Sequence, residues 1–132
     1  MLGSWTAGKL GVMDDTPAVD PAALDRLHGL GGDKLVSQMV RLYLENASER
    51  LRQIDSGLSP DGDVSEAASG AHSLKSSAAN VGATRVSAVS AAMEAVAARG
   101  DPAPLLPMRE ELGEALEEAE ARLSELLKER HG

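Results

Sequence analysis

Apolar residues in this sequence return every three or four positions along four separate stretches, and nowhere do apolar and polar residues alternate one by one. The first stretch is Val36, Met39, Val40, Tyr43, Ala47, Leu51, Ile54 and Leu58, and the second is Val64, Ala67/Ala68, Ala71, Leu74, Ala78 and Val81. The third is Val86, Val89, Met93 and Val96/Ala97, and the last is Leu112, Leu116, Ala119, Leu123 and Leu126. A period near 3.6 gathers each set on one side of an α-helix, whereas a half-buried strand needs a period of two. The punctuation agrees. Asp20-Pro21 reads as an N-cap with proline at the first helical position, after which Leu24, Leu27 and His28 share a face until Gly31-Gly32. Asp33 opens the next helix, Ser59-Pro60-Asp61-Gly62 is a turn cluster, and Gly82 ends another apolar run. Gly100 suits a C-terminal cap, Asp101-Pro102-Ala103-Pro104 is a stiff connector, and Pro107 is tolerated in a first turn. The long helices are expected near 33–58, 63–81, 83–99 and 107–130. The fold class is therefore all-α: an antiparallel four-helix bundle with a short extra N-terminal helix across one end, over residues 19–132. Residues 1–18 hold three glycines and no sustained period, and read as an N-terminal tail, disordered, docked or tag-derived, with Trp5 as its one anchor.

Composition narrows what such a bundle does. Trp5 and Tyr43 are the sole aromatics, so the core must be aliphatic, and the stacking platforms that single-stranded nucleic acids need are missing. A net charge of -8 also repels phosphate backbones, so nucleic acid is not an expected partner. There are no cysteines, which removes disulfides and thiolate metal sites. No apolar stretch approaches the roughly 20 residues that span a bilayer, and Met1 to Thr16 lacks the basic start and apolar run of a signal peptide. The expectation is a cytoplasmic protein that makes no membrane contact. Four amphipathic helices close a core within one chain, so a monomer is expected.

One segment departs from scaffolding. His72 lies about 120° from the centre of its helix's apolar stripe and shares its own stripe with Ser65, Ser69, Ser76 and Ala79. Nothing long shields it, which is what a side chain needs if another protein's active site is to close over it. Lys75 follows at i+3, between the histidine and the core, where its stem can lie on the bundle and its ammonium can meet a phosphoryl group on the ring. Gly82 allows a tight turn and is expected to clear the surface at the helix end. Taken alone, a histidine on a helix flank is ordinarily an inert surface residue, and His28 and His131 have no local support for more. No His or carboxylate stands at i+4 from His72 and no His-Glu-x-x-His pattern occurs, so neither a metal site nor a bound cofactor is expected. The carboxylates Glu110, Glu111, Glu114, Glu117, Glu118 and Glu120 read as a solvated face. Met13, Met39, Met93 and Met108 read as gap-fillers, and no glycine-rich loop offers a seat for ATP.

In combination these residues resemble the histidine phosphotransfer (HPt) domain family of bacterial multistep phosphorelays. The family's His-x-Leu-Lys-Gly-Ser run stands here as His72-Ser73-Leu74-Lys75-Ser76-Ser77, with Asn80, Gly82 and Ala83 following. Asp20-Pro21-Ala22-Ala23-Leu24, then Leu27 and Gly31-Gly32-Asp33, is similar to the family's opening; Leu42-Tyr43-Leu44 stands where it often has an aromatic. Met93-Glu94 with Ala98-Arg99-Gly100 is similar to its Leu-Glu and Ala-Arg-x-Gly stretch. Ser76, in place of the usual glycine after the lysine, is the departure. The resemblance covers about residues 19–127. It implies a phosphocarrier without kinase activity of its own, relaying phosphoryl groups between aspartates of response-regulator receiver domains. It makes His72 the phosphorylated residue, through its outer ring nitrogen, and Lys75 the stabiliser of the phosphoryl charge. Ser69, Ser76 and Gly82 become supporting neighbours, and Glu94 the carboxylate that orients the imidazole. Receiver domains, and a hybrid sensor histidine kinase, are the implied partners, with Mg²⁺ and the acidic pocket belonging to the receiver.

Two other readings compete. One is the phosphoacceptor domain of a histidine kinase. The dimerisation hairpin type has Glu after the histidine, where this chain has Ser73, but the chemotaxis-kinase type shares His-x-x-Lys. The other is an adaptor bundle that binds a regulator and is never phosphorylated.

Overall fold

The computed structural model describes residues 17–131, with side chains through Arg130; Trp5, Met13 and the rest of residues 1–16 lie outside the described residues. Four helices follow one another: α1 (Pro21–Leu58), α2 (Val64–Asn80), α3 (Thr84–Ala97) and α4 (Leu105–His131). Each packs on the next and α4 returns to α1, so the four form a closed ring without diagonal contacts. The α2–α3 seam therefore stands opposite the α1–α4 seam.

Local chemistry sets the boundaries. Asp20 caps α1 by accepting from the Ala22 amide at 3.0 Å, and Pro21 occupies a position whose missing N–H costs nothing. Asp63 caps α2 through the Ser65 amide at 2.9 Å. The expected stop at Gly31-Gly32 is present as a break inside α1: Gly32 has φ 73 and ψ -167, and the axis kinks there between two helical segments. The first segment is the expected short helix. It buries Ala23 and Leu24, but His28 faces out, with its side chain 53% exposed and Nε2 3.5 Å from Asp33 across the kink. α4 begins two residues earlier than expected, with Pro107 inside its first turn, where no intrahelical bond is lost.

The core is the aliphatic one the periodicity predicts. Val36, Val40, Tyr43 and Ile54 of α1 meet Ala67, Ala71, Leu74 and Ala78 of α2. Val86, Val89 and Met93 of α3 and Leu105, Leu112, Ala119 and Leu123 of α4 complete it. Ser90 is also fully buried, a polar residue on the core side of α3. Ion pairs pin the helices at their margins. The Arg109 guanidinium donates to both Asp55 oxygens at 2.6 and 3.2 Å, Arg130 reaches Asp25 at 2.6 Å, and Arg85 of α3 bridges Glu111 and Glu118 of α4.

The turn between α2 and α3 carries the strictest backbone requirement. Gly82 has φ 78 and is buried. Its carbonyl accepts from the Asp20 amide at 2.7 Å, and Thr84 Oγ1 donates to the Pro17 carbonyl at 2.7 Å, so residues 17–20 are strapped across the turn with Val19 buried beneath. A Cβ on Gly82 would collide with the Asp20 carbonyl oxygen and come within 2.8 Å of the Ala23 methyl. Gly82 therefore does not clear the surface for a partner, as its place in the sequence suggests; its bare Cα makes room for the chain's own entry into α1. Gly100 has a similar φ of 84, and a methyl group added there would meet nothing within 4 Å. Gly100→Ala should cost only the left-handed backbone term of about 1–2 kcal/mol. Gly82→Ala adds a backbone collision and should cost about 3 kcal/mol or more. Urea unfolding of the two variants measures the difference.

Candidate functional site

The α2–α3 hairpin brings His72 and Glu94 face to face. His72 stands ten residues before Gly82 and Glu94 twelve after it, so the antiparallel return places them at one level of the seam. His72 Nδ1 is 2.7 Å from Glu94 Oε2. Lys75, one turn along α2 from His72, donates from Nζ to Glu94 Oε1 at 2.7 Å. One carboxylate thus holds both residues, one on each oxygen. Ser87 Oγ donates to the Lys75 carbonyl at 3.1 Å and ties α3 to α2 at this level.

The bond on Nδ1 decides what the ring can do. A carboxylate accepts, so in the neutral ring Nδ1 carries the proton and the lone pair lies on Nε2. Nε2 has no protein partner among the described residues, and the histidine side chain is 62% exposed. Ser69 and Ser76, one turn before and after, are exposed small residues that leave the approach open. The result is an outward nucleophilic nitrogen on an imidazole whose orientation is fixed from behind. Among the described residues no group of three His, Cys, Asp or Glu side chains is arranged to hold a metal ion. No helix among them is long and apolar enough to cross a membrane.

Lys75 departs from its sequence-based placement. Instead of standing free beside the ring, it turns along the seam to the carboxylate, because the α2 face between His72 and the core looks onto α3. Its charge reaches the imidazole through Glu94. Gly82 lies at the far end of the hairpin, about 15 Å from His72 along the helix, and contributes by fixing the turn. Ser87 is the contributor that sequence reading missed: a serine on a helix has no distinguishing signal until its partner carbonyl is placed.

The Lys75 hydrogen bond, then the His72 hydrogen bond, lower the Glu94 carboxyl below the usual glutamate range. A lowered carboxyl stabilises the fold above its unfolded-state value, and that contribution is lost as pH falls through its own lower value. The Glu94 bridge should therefore persist at pH values where ordinary glutamates are already protonated. Carbon-detected NMR titration of Glu94 should give a midpoint below that of exposed glutamates, moving upward in Lys75→Met.

Comparison with known proteins is consistent with this geometry. The Hpt domain family model matches residues 38–126, from the middle of α1 nearly to the end of α4. An X-ray structure of a putative histidine-containing phosphotransfer protein from rice aligns with a TM-score of 0.73. That alignment covers 96% of this chain and 87% of the rice chain at 19% sequence identity, a likeness of fold. No curated protein sequence matches. With two thirds of its length inside the family model and the same helical bundle, the chain belongs to the Hpt domain family, the histidine phosphotransfer modules of phosphorelays.

Proposed function

We propose that this protein carries phosphoryl groups on His72 between the aspartates of two receiver domains. The observation that carries the reading is the Nδ1 bond to Glu94, which leaves Nε2 exposed and nucleophilic. In the first step the Nε2 lone pair attacks the phosphorus of a receiver's phosphoaspartate. The N–P bond forms, the acyl phosphate P–O bond breaks, and the aspartate leaves as a carboxylate. The proton stays on Nδ1, and the positive charge that develops on the ring is met by Glu94. In the second step another receiver's aspartate attacks the same phosphorus and Nε2 leaves with its lone pair. Lys75, held by Glu94 in the resting protein, turns to the phosphoryl oxygens as they arrive within one turn of it. Mg²⁺ and the acidic pocket come from the receiver, and a hybrid sensor kinase that carries such a receiver supplies the phosphoryl group.

The adjoining surface supports receiver docking. A shallow groove of about 330 Å³ between α1 and α2 is lined by Met39, Leu42, Asn46, Ser77 and Asn80. Leu42 is 54% exposed there, an apolar contact beside the serine stripe that leads to His72.

Incubation with a ³²P-labelled receiver should transfer acid-labile phosphate to the wild type and none to His72→Gln. Equal labelling of both proteins would overturn the reading. Retained receiver binding without any labelling would leave only the adaptor reading. Glu94→Gln removes the negative charge that meets Nδ1–H and the charge developing on the ring. Transfer should slow by about tenfold or more, with receiver affinity unchanged. Stopped-flow transfer and a separate binding titration measure the two quantities.

A further inference from the structure

The α1–α4 seam, on the opposite side of the ring from His72, holds a cleft of about 630 Å³ that phosphotransfer does not use. Its floor is apolar: Leu44 and Leu51 of α1 and Leu116 of α4 pack on the core but remain partly exposed. Its α4 wall carries Glu110, Glu114, Glu117 and Glu120. None of these four carboxylates has an ion-pair partner among the described residues, and the cation beside them, Arg109, is held by Asp55. They follow one another at i+4, i+3 and i+3, where like charges repel along a helix. Between them Gly113 lines the cleft, in mid-helix, where glycine costs about 1 kcal/mol relative to alanine. A Cβ there would press on the Arg109 guanidinium, at 3.0 Å, the group that pins α4 to Asp55 of α1, so the glycine both spares that ion pair and leaves the cleft open. Tyr43 also lines the cleft, 2% exposed, and its hydroxyl has no hydrogen-bond partner among the described residues. Burial, then the Glu120 charge, hold that hydroxyl protonated, so it remains an unused donor.

We infer that this cleft docks a basic amphipathic helix of a partner protein, its apolar stripe on Leu44, Leu51 and Leu116 and its lysines or arginines against Glu110, Glu114, Glu117 and Glu120. The acidic wall runs about 15 Å, just under three turns of helix, which matches a short docked helix lying along the seam. Charge complementarity selects the occupant. A second copy of this chain, at a net charge of -8, would bring like charge to the same wall. Because the seam faces away from the α2–α3 hairpin, the docked helix leaves His72 open, and the inference stands independently of the phosphotransfer reading.

The test uses a synthetic three-turn amphipathic peptide with leucines on one stripe and lysines on its flanks, and a control with glutamates replacing the lysines. Titrated into ¹⁵N-labelled protein, the basic peptide should shift amides of residues 43–51 and 109–120 and leave those around His72 unmoved. Its binding should weaken steeply with salt, and fall about tenfold when Glu114, Glu117 and Glu120 are changed together to Gln. Gly113→Leu should fill the cleft and abolish binding while the protein stays folded by circular dichroism. Receiver-to-His72 transfer should run at the same rate with peptide bound. Equal binding of the acidic control, shifts centred on His72, unchanged affinity in a folded Gly113→Leu, or no shifts at all with the basic peptide would overturn the inference. Concentration-dependent broadening of the cleft amides without peptide would assign the face to self-association instead.

Discussion

The Gly82 turn is the constraint on which the rest of the site depends. An antiparallel hairpin converts sequence distance from its turn into spatial register, and His72 and Glu94 meet because they are nearly equidistant from it. One residue more in that turn would rotate α3 by about 100° relative to its present register and carry Glu94 off the seam. The turn is held from outside the hairpin. Residues 17–20 cross it, bonded at Gly82 and Thr84, and the absent Gly82 side chain is the space they occupy. The start of α1 and the geometry around His72, about 15 Å apart along α2, are thus linked through one glycine.

Glu94 turns that register into chemistry. A carboxylate shared between an imidazole and an ammonium balances the lysine's charge in the resting protein and fixes the ring tautomer at once. Both bonds favour its ionised form, so the pair that positions the histidine also keeps the positioning group charged. The arrangement is economical in parts: α2 supplies the histidine and the cation, α3 supplies the acceptor, and the remaining helices supply the rigid backing.

Most of the fold could be read from the sequence because it is written in period. Val36 to Leu58 and Leu112 to Leu126 sit on stripes whose burial the structure reproduces, and Asp20-Pro21 and Asp63 cap where their chemistry requires. The His72 stripe was legible for the same reason, since small residues at three and four announce an unshielded side. What period does not encode is the partner on a facing helix. His28 shares a stripe with Leu24 yet lies outside the core, because the kink at Gly32 turns the end of the short segment away from it. Lys75 looked like a free cation until α3 supplied Glu94, and Ser87 gave no signal at all.

The glutamates of α4 show the same limit from the other side. As a string they resemble a uniform solvated face, but packing sorts them into two groups. Glu111 and Glu118 turn toward α3 and share Arg85, while Glu110, Glu114, Glu117 and Glu120 line the α1 side, where the Arg109 guanidinium is already held by Asp55. Gly113 among them costs helix stability relative to alanine, and it keeps a Cβ off the Arg109 guanidinium and leaves the α1 side of the helix open. Unbalanced charge beside exposed leucines, on the seam opposite the histidine, is a surface whose electrostatics are completed by something outside the chain.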